Sequence, residues 1–138
     1  MSITYVLDAF ALMAYLRDEP GAARVRELLD AAIAQSTYLY LSVVNFGEVV
    51  YVSEQVGGRT AAEMAILTLD SLPIETVPVD RPVALIAAHL KAQHRMSYAD
   101  TFAAALAMSM NAVLVTGDPE FRVLEGMLPI EWIAQRSA

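Results

Sequence analysis

Four acidic residues, Asp8, Glu48, Asp100 and Asp118, lie at or near points where the sequence predicts a strand or a loop leading into a helix. Carboxylate oxygens are hard ligands, and in a chain without cysteine they favour Mg²⁺ or Mn²⁺ over zinc. Two ionised carboxylates about 4 Å apart repel by roughly 4 kcal/mol at an effective dielectric near 20. If the fold brings the four together, a divalent cation or proton uptake must relieve that repulsion. Spacing alone does not place Glu48 beside Asp8.

Each aspartate also has a purely structural explanation, because Asp is a preferred helix N-cap and favours the positive end of the helix dipole. Asp8 could cap a first helix, and Asp100 could be the N3 partner of Ser97. Asp118 precedes a proline, as an N-cap often does. Glu48 does not fit this explanation, because its apolar neighbours imply partial burial and an unpaired buried carboxylate is costly. Glu48 therefore needs a partner.

Short strands and helices alternate along the chain and would position these acids. Strands are predicted over 3–7, 38–41 and 74–79, from residue 113, and within 128–133; helices over 9–16, 22–35, 43–56 (closed by glycines 57 and 58), 60–71 (opened by a capping box over 60–63), 80–93 and 98–110. Such alternation indicates α/β class, a three-layer α/β/α sandwich with a mostly parallel central sheet. Asp8 and Asp118 follow strands, and ligands bind at that edge of open α/β sheets.

Length and composition indicate a single domain over residues 1–138, 57% of them hydrophobic. The absence of cysteine excludes disulfides, thiolate zinc sites and thiol nucleophiles. We read neither a secretory signal nor a transit peptide, because no basic segment precedes the first apolar run and Asp8 interrupts it. The most apolar stretch, residues 101–115, is shorter than the roughly 20 residues that span a bilayer. We therefore expect a cytoplasmic location and no membrane span.

The formal net charge of −7 argues against a protein that coats nucleic acid, because affinity for phosphate normally comes from Lys and Arg. It does not exclude a nuclease, since a bound cation adds its own charge, and it suits a basic protein partner. Arg95, close to Asp100, is the best candidate for contact with substrate phosphate. His89 and His94 are interpreted as surface or packing residues. The basic residues considered for phosphate contact are Arg17, Arg24, Arg26, Lys91, Arg95 and Arg122.

Four short motifs, in order across essentially the whole chain, resemble those of the PIN-domain family, and most closely its VapC-type ribonuclease toxins. They are Val-Leu-Asp at 6–8 followed by Ala-Leu at 11–12, Ser-Val-Val-Asn-Phe-Gly-Glu at 42–48, Ser-Tyr-Ala-Asp at 97–100, and Thr-Gly-Asp-Pro-Glu-Phe at 116–121. Where many relatives have Ser or Thr shortly after the first aspartate, this chain has Ala-Phe-Ala at 9–11. Each motif is weak alone, but the ordered set makes the resemblance specific.

The resemblance implies a role for each motif residue. Asp8, Glu48 and Asp100 would be catalytic metal ligands, and Asp118 would bind or orient a metal. The polar side chains expected to brace the site are those of Asn45 and Thr116.

The resemblance further implies Mg²⁺- or Mn²⁺-dependent hydrolysis of RNA, leaving a 5′-phosphate and a 3′-hydroxyl. The implied partners are the RNA substrate, a cognate antitoxin that covers the acidic pocket and inhibits the enzyme, and a second copy of the chain in a homodimer. Two alternatives stay open: a non-catalytic PIN module that binds a partner, and a PIN nuclease of RNA processing. A phosphoacceptor receiver is set aside, because it would need paired acids after the first strand and a lysine beyond Lys91.

Overall fold

A computed structural model describes residues 2–134, in which strands and helices alternate. The strands are β1 (Ile3–Leu7), β2 (Thr37–Ser42), β3 (Glu75–Val77), β4 (Val113–Thr116) and β5 (Ile130–Trp132). The α-helices are α1 (Ala9–Leu16), α2 (Ala22–Ile33), α3 (Val43–Ser71), α4 (Arg81–Gln93) and α5 (Tyr98–Met110). A 3₁₀ helix, Pro119–Leu124, follows β4.

The five strands form one sheet in the order β3-β2-β1-β4-β5, and every pairing is parallel. The predicted α/β class and parallel sheet are therefore confirmed. β1 is central and pairs with β2 on one side and β4 on the other, with Leu7 opposite Val115. The carboxyl ends of β1 and β4 consequently lie side by side, and the segments that follow them begin at the same edge of the sheet.

Hydrophobic side chains of the sheet alternate between two cores, as the twofold period of a strand requires. Tyr5 and Leu7 pack on one face against α1, α2 and part of α3, whereas Val6 and Leu114 pack on the other against α4, α5 and the 3₁₀ helix. The sheet is thus the middle of three layers. Apolar side chains are buried on both faces of the sheet, which explains why the strands carry few charges.

The structure differs from the predicted elements mainly in α3. The predicted break between two helices is present at Gly58, whose backbone (φ 77°, ψ −173°) leaves the helical region. The capping-box prediction is wrong, because the chain is helical again at Arg59 and Thr60 lies inside the second half. The predicted strand over 74–79 is shorter, covering only β3, and α2 ends two residues before the predicted end at 35. Among residues 2–134, no helix is both long and apolar enough to cross a membrane.

Candidate functional site

Asp8 directly follows the central strand and is both a helix cap and a member of the acidic group. Its Oδ1 accepts the backbone N–H of Ala11 at 2.8 Å, and its Oδ2 accepts the hydroxyl of Thr116. Burial raises the pKa of Asp8 to about 8; the two hydrogen bonds oppose this, and the charges of Asp100 and Asp118 add to it. Thr116 thus supplies a hydroxyl partner that the segment after Asp8 lacks.

Glu48 lies in the second turn of α3, where Asn45 holds it. The buried Asn45 Nδ2 donates to Glu48 Oε1 at 3.2 Å and to the carbonyl of Ala99 at 3.1 Å, which joins α3 to α5. Burial raises the pKa of Glu48, the Asn45 hydrogen bond lowers it, and the charges of Asp118 and Glu120 raise it further. The partner that a half-buried glutamate needs is therefore an amide from the preceding turn.

Asp100 lies in the first turn of α5 and is only 6% exposed. Ser97 is the N-cap of this helix, and its Oγ accepts the backbone N–H of Asp100 at 3.2 Å. Burial is the main cause that raises the pKa of Asp100 to about 7; the charge of Asp118 is next, a hydrogen bond from Ser97 opposes it, and Glu48 and Glu120 add smaller contributions. Asp100 is thus coupled to acids from α3 and from the segment after β4.

Asp118 follows β4 and caps the 3₁₀ helix. Its Oδ1 accepts the N–H of Glu120 at 2.9 Å, and its own N–H donates to the Thr116 hydroxyl at 3.0 Å. The Thr116 hydroxyl therefore contacts both strand-end aspartates, one through its hydrogen and one through its oxygen.

Glu120 is an acid that the sequence analysis did not assign to the site. One carboxylate oxygen from each of Asp100, Asp118 and Glu120 lies within 4.8 Å of the other two, whereas Asp8 and Glu48 lie beside this tight group. Two ionised carboxylates at about that separation repel by roughly 3 kcal/mol at an effective dielectric near 20. The sequence signal for Glu120 is its place in the fourth motif, two residues after Asp118.

A cavity of about 310 Å³ opens onto Glu48, Asp100 and Asp118, whereas Asp8 and Glu120 do not line it. Arg17, in the turn after α1, is the basic residue among those that line it. Arg95 is exposed and does not line it. The full lining is Ala9, Phe10, Met13, Arg17, Glu19, Glu48, Val52, Asp100 and Asp118.

The Phe10 ring forms an apolar wall of this cavity because residue 117 is glycine. A Cβ placed on Gly117 would overlap the edge of the Phe10 ring. The glycine between Thr116 and Asp118 therefore allows the ring to approach the strand end closely.

The carboxylate group fits a hard divalent cation. The pKa values of Asp8, Glu48 and Asp100 are all raised, and hydrogen bonds from Thr116, Asn45 and Ser97 oppose this only in part. Among the described residues, the buried Oδ1 of Asn45 has no hydrogen-bond partner, which adds an unused oxygen to the α3 side of the site. Oxygen donors of this kind suit Mg²⁺ or Mn²⁺. Such an arrangement can hold a cation against a phosphate group.

Comparison with solved structures identifies the same fold in toxin–antitoxin complexes. The structure of VapBC2 from Rickettsia felis bound to a promoter DNA fragment matches with a TM-score of 0.76 at 17% identity, over 96% of this chain and 100% of that one. DNA-bound VapBC from Salmonella typhimurium matches with a TM-score of 0.72 at 19% identity, over 94% and 97%. The toxin VapC20 from Mycobacterium tuberculosis, which cleaves the sarcin–ricin loop, matches with a TM-score of 0.69 at 15% identity, over 86% and 93%.

Comparison with curated proteins gave no match. The family model of the PIN domain, in contrast, matches residues 5–126, which include all four motifs from Asp8 to Phe121. The chain therefore belongs to the PIN-domain family.

Proposed function

We propose that this protein is a Mg²⁺- or Mn²⁺-dependent endoribonuclease toxin of the VapC type, which acts on RNA in the cytoplasm and is inhibited by a cognate antitoxin. One observation carries the proposal: Glu48, Asp100 and Asp118, which are far apart in the sequence, line one cavity of a PIN domain, and the buried Asp8 is electrostatically coupled to Asp100 and Asp118. Membership of the family supports nuclease chemistry, and the fold shared with VapBC complexes supports a toxin.

Asp8, Glu48, Asp100 and Asp118 would hold the cation. When bound, such a cation lowers the pKa of water and neutralises negative charge that develops on a phosphate. Ligating carboxylates must be ionised, so the raised pKa values of Asp8 and Asp100 make cation affinity rise with pH towards pH 8. Asn45 and Thr116 would orient the ligands, through Glu48 and through both strand-end aspartates respectively.

Arg17 is the better candidate for a substrate phosphate contact than Arg95. Its backbone N–H bonds to the carbonyl of Met13 at 3.0 Å, and the next turn is held by Glu19 N–H on the carbonyl of Ala14 at 2.9 Å. The guanidinium therefore extends from a fixed backbone position beside the acidic cavity. Three of the other candidates are occupied: Arg24 by Glu27 and Glu131, Arg26 by Asp18, and Lys91 by the carbonyl of Met96.

A protein partner and a homodimer are part of the proposal. The structural relatives include complexes with an antitoxin, and a basic antitoxin segment would complement the acidic cavity that Glu48, Asp100 and Asp118 line. α3 exposes large apolar side chains on both sides of its break at Gly58, a pattern that marks interaction surfaces. These side chains are Val56, Met64 and Leu67, exposed by 74%, 58% and 66%.

The test is cleavage of total cellular RNA by antitoxin-free protein, with Mg²⁺ or Mn²⁺ and with EDTA. We expect discrete cuts that require the cation and disappear in Asp100→Asn. Asp30→Asn, the same change at an exposed position of α2, is the matched control and should retain the cuts. Products should carry 5′-phosphate ends. A sarcin–ricin-loop RNA beside the total pool tests whether this chain shares the target of VapC20.

Folded protein that leaves all RNA intact with either cation would contradict the proposal. Cuts that persist in EDTA or in Asp100→Asn would contradict the carboxylate mechanism.

A further inference from the structure

The N-terminus of α5 is capped by two separate parts of the chain. In a capping box the N-cap hydroxyl accepts the N3 backbone N–H, and the N3 carboxylate accepts the N-cap backbone N–H. Ser97 and Asp100 occupy these two positions, and the first bond is present, from Asp100 N–H to Ser97 Oγ at 3.2 Å. The second bond is different, because Ser97 N–H donates to Glu120 Oε1 at 2.9 Å.

Glu120 thus replaces the carboxylate that would normally close the box. It comes from the 3₁₀ helix, 23 residues after Ser97, in the same segment as Asp118. The substitution leaves the carboxylate of Asp100 without the capping bond to Ser97 N–H. Asp100 can then face Asp118, with carboxylate oxygens of the two residues within 4.8 Å.

We propose that Glu120 is a positioning residue, which completes the α5 cap and thereby keeps the Asp100 carboxylate directed to the cation site. This inference rests on the proposed function. Without an acceptor at position 120, Ser97 N–H has no partner, and the Asp100 carboxylate is the nearest group in the sequence that can close the box. The Asp100 carboxylate would then alternate between accepting the Ser97 N–H and binding the cation.

A substitution at position 120 can distinguish this role from that of a fifth metal ligand. A positioning residue needs one acceptor oxygen, because the bond from Ser97 N–H uses only Oε1. Glutamine retains that oxygen at the same reach and removes the charge. A ligand, in contrast, needs the charge of the carboxylate.

The experiment compares Glu120→Gln with Glu120→Ala and Glu120→Met, using Mn²⁺ binding by calorimetry and RNA cleavage. Loss of a residue that orients a metal ligand typically weakens metal affinity by about 10–100-fold. We expect that loss in the Ala and Met variants and a clearly smaller one, below about tenfold, in Glu120→Gln, which keeps the acceptor oxygen and loses only the nearby charge. Met fills the space of Glu without an acceptor oxygen and serves if the Ala variant does not fold. Glu125→Ala, an exposed glutamate next to the 3₁₀ helix, is the control and should bind as wild type does.

Two results would overturn the inference. If Glu120→Gln loses as much affinity as Glu120→Ala, the effect comes from the charge of Glu120 and not from its capping bond to Ser97. If none of the three variants weakens Mn²⁺ binding, the capping bond does not affect Asp100. Both results assume an active wild type; a wild type that neither binds Mn²⁺ nor cleaves RNA refutes the proposed function itself, and the two failures are therefore distinguishable.

Discussion

Replacing Asp8 by asparagine should stabilise the metal-free protein at alkaline pH. The pKa of Asp8 is raised from 3.8 to about 8. Between these values the folded protein holds a proton that the unfolded chain has lost, so the free energy of unfolding falls as pH rises. Stability linked to Asp8 is complete below the ordinary pKa and is lost by the time pH passes the folded pKa.

The magnitude follows from the size of the shift. Each pKa unit corresponds to about 1.36 kcal/mol, so a rise from about pH 5 to about pH 8 should remove on the order of 4 kcal/mol through Asp8 alone. Asparagine keeps the N-cap bond to Ala11 N–H, because Asn and Asp cap helices about equally well. Asp8→Asn should therefore match wild type near pH 5 and exceed it by several kcal/mol near pH 8.

The assay is urea unfolding in EDTA across this pH range. Wild type, Asp8→Asn and the exposed control Asp30→Asn are compared at each pH. Adding Mn²⁺ at about 100 times its Kd should return about 2.7 kcal/mol to wild type at alkaline pH, and less to Asp8→Asn, which lacks a ligand charge. If wild type and Asp8→Asn show parallel pH profiles in EDTA, the buried-carboxylate reasoning is refuted.

Three further results are expected. Arg17→Ala should raise KM for RNA and reduce the salt dependence of binding by about one counterion, while Arg95→Ala should change neither. Steady-state cleavage and salt titrations measure both effects, and equal effects in the two variants would contradict the assignment of Arg17. Gly117→Ala should lower the free energy of unfolding by about 1–3 kcal/mol, because the new methyl must displace the Phe10 ring. An unchanged urea midpoint would show that the ring moves freely. Asn45→Ala should lower the free energy of unfolding in EDTA by about 1–3 kcal/mol, because it leaves the part-buried carbonyl of Ala99 without the amide that donates to it. A smaller loss in urea unfolding would imply that water replaces the amide.

Much of the fold could be predicted because it depends on local patterns. Strands with buried residues on both faces, caps such as Ser42 and Ser97, and the helix break at Gly58 are all readable from neighbouring residues. The start of the second half of α3 was mispredicted at Thr60, because the capping-box pattern there competes with a helix that resumes directly after Gly58. The local sequence permits a helix start at either Arg59 or Thr60.

The candidate site was only partly predictable, for a physical reason. Asp8 and Asp118 follow strands, and the carboxyl ends of adjacent parallel strands must meet, so their proximity follows from topology. Glu120 contacts Ser97 across 23 residues through a 3₁₀ helix, and no periodicity indicates such a contact. Arg95 was the predicted phosphate contact because it is close to Asp100 in sequence. The basic residue that lines the cavity is Arg17, which lies in a turn near the other end of the chain.

The position of β4 between β1 and β5 has a consequence for when the site forms during synthesis. The hydroxyl partner of Asp8 is Thr116, 108 residues later, and Asp100 and Asp118 also lie in the last third of the chain. A growing chain that has not yet added β4 to the sheet still lacks Thr116, Asp118 and Glu120 at the acidic cluster. Contacts of such long range form late in folding, because their loop closure is costly in entropy. The proposed cation site would therefore be complete only when nearly all of the sheet is assembled, and we expect incomplete chains at the ribosome to lack it.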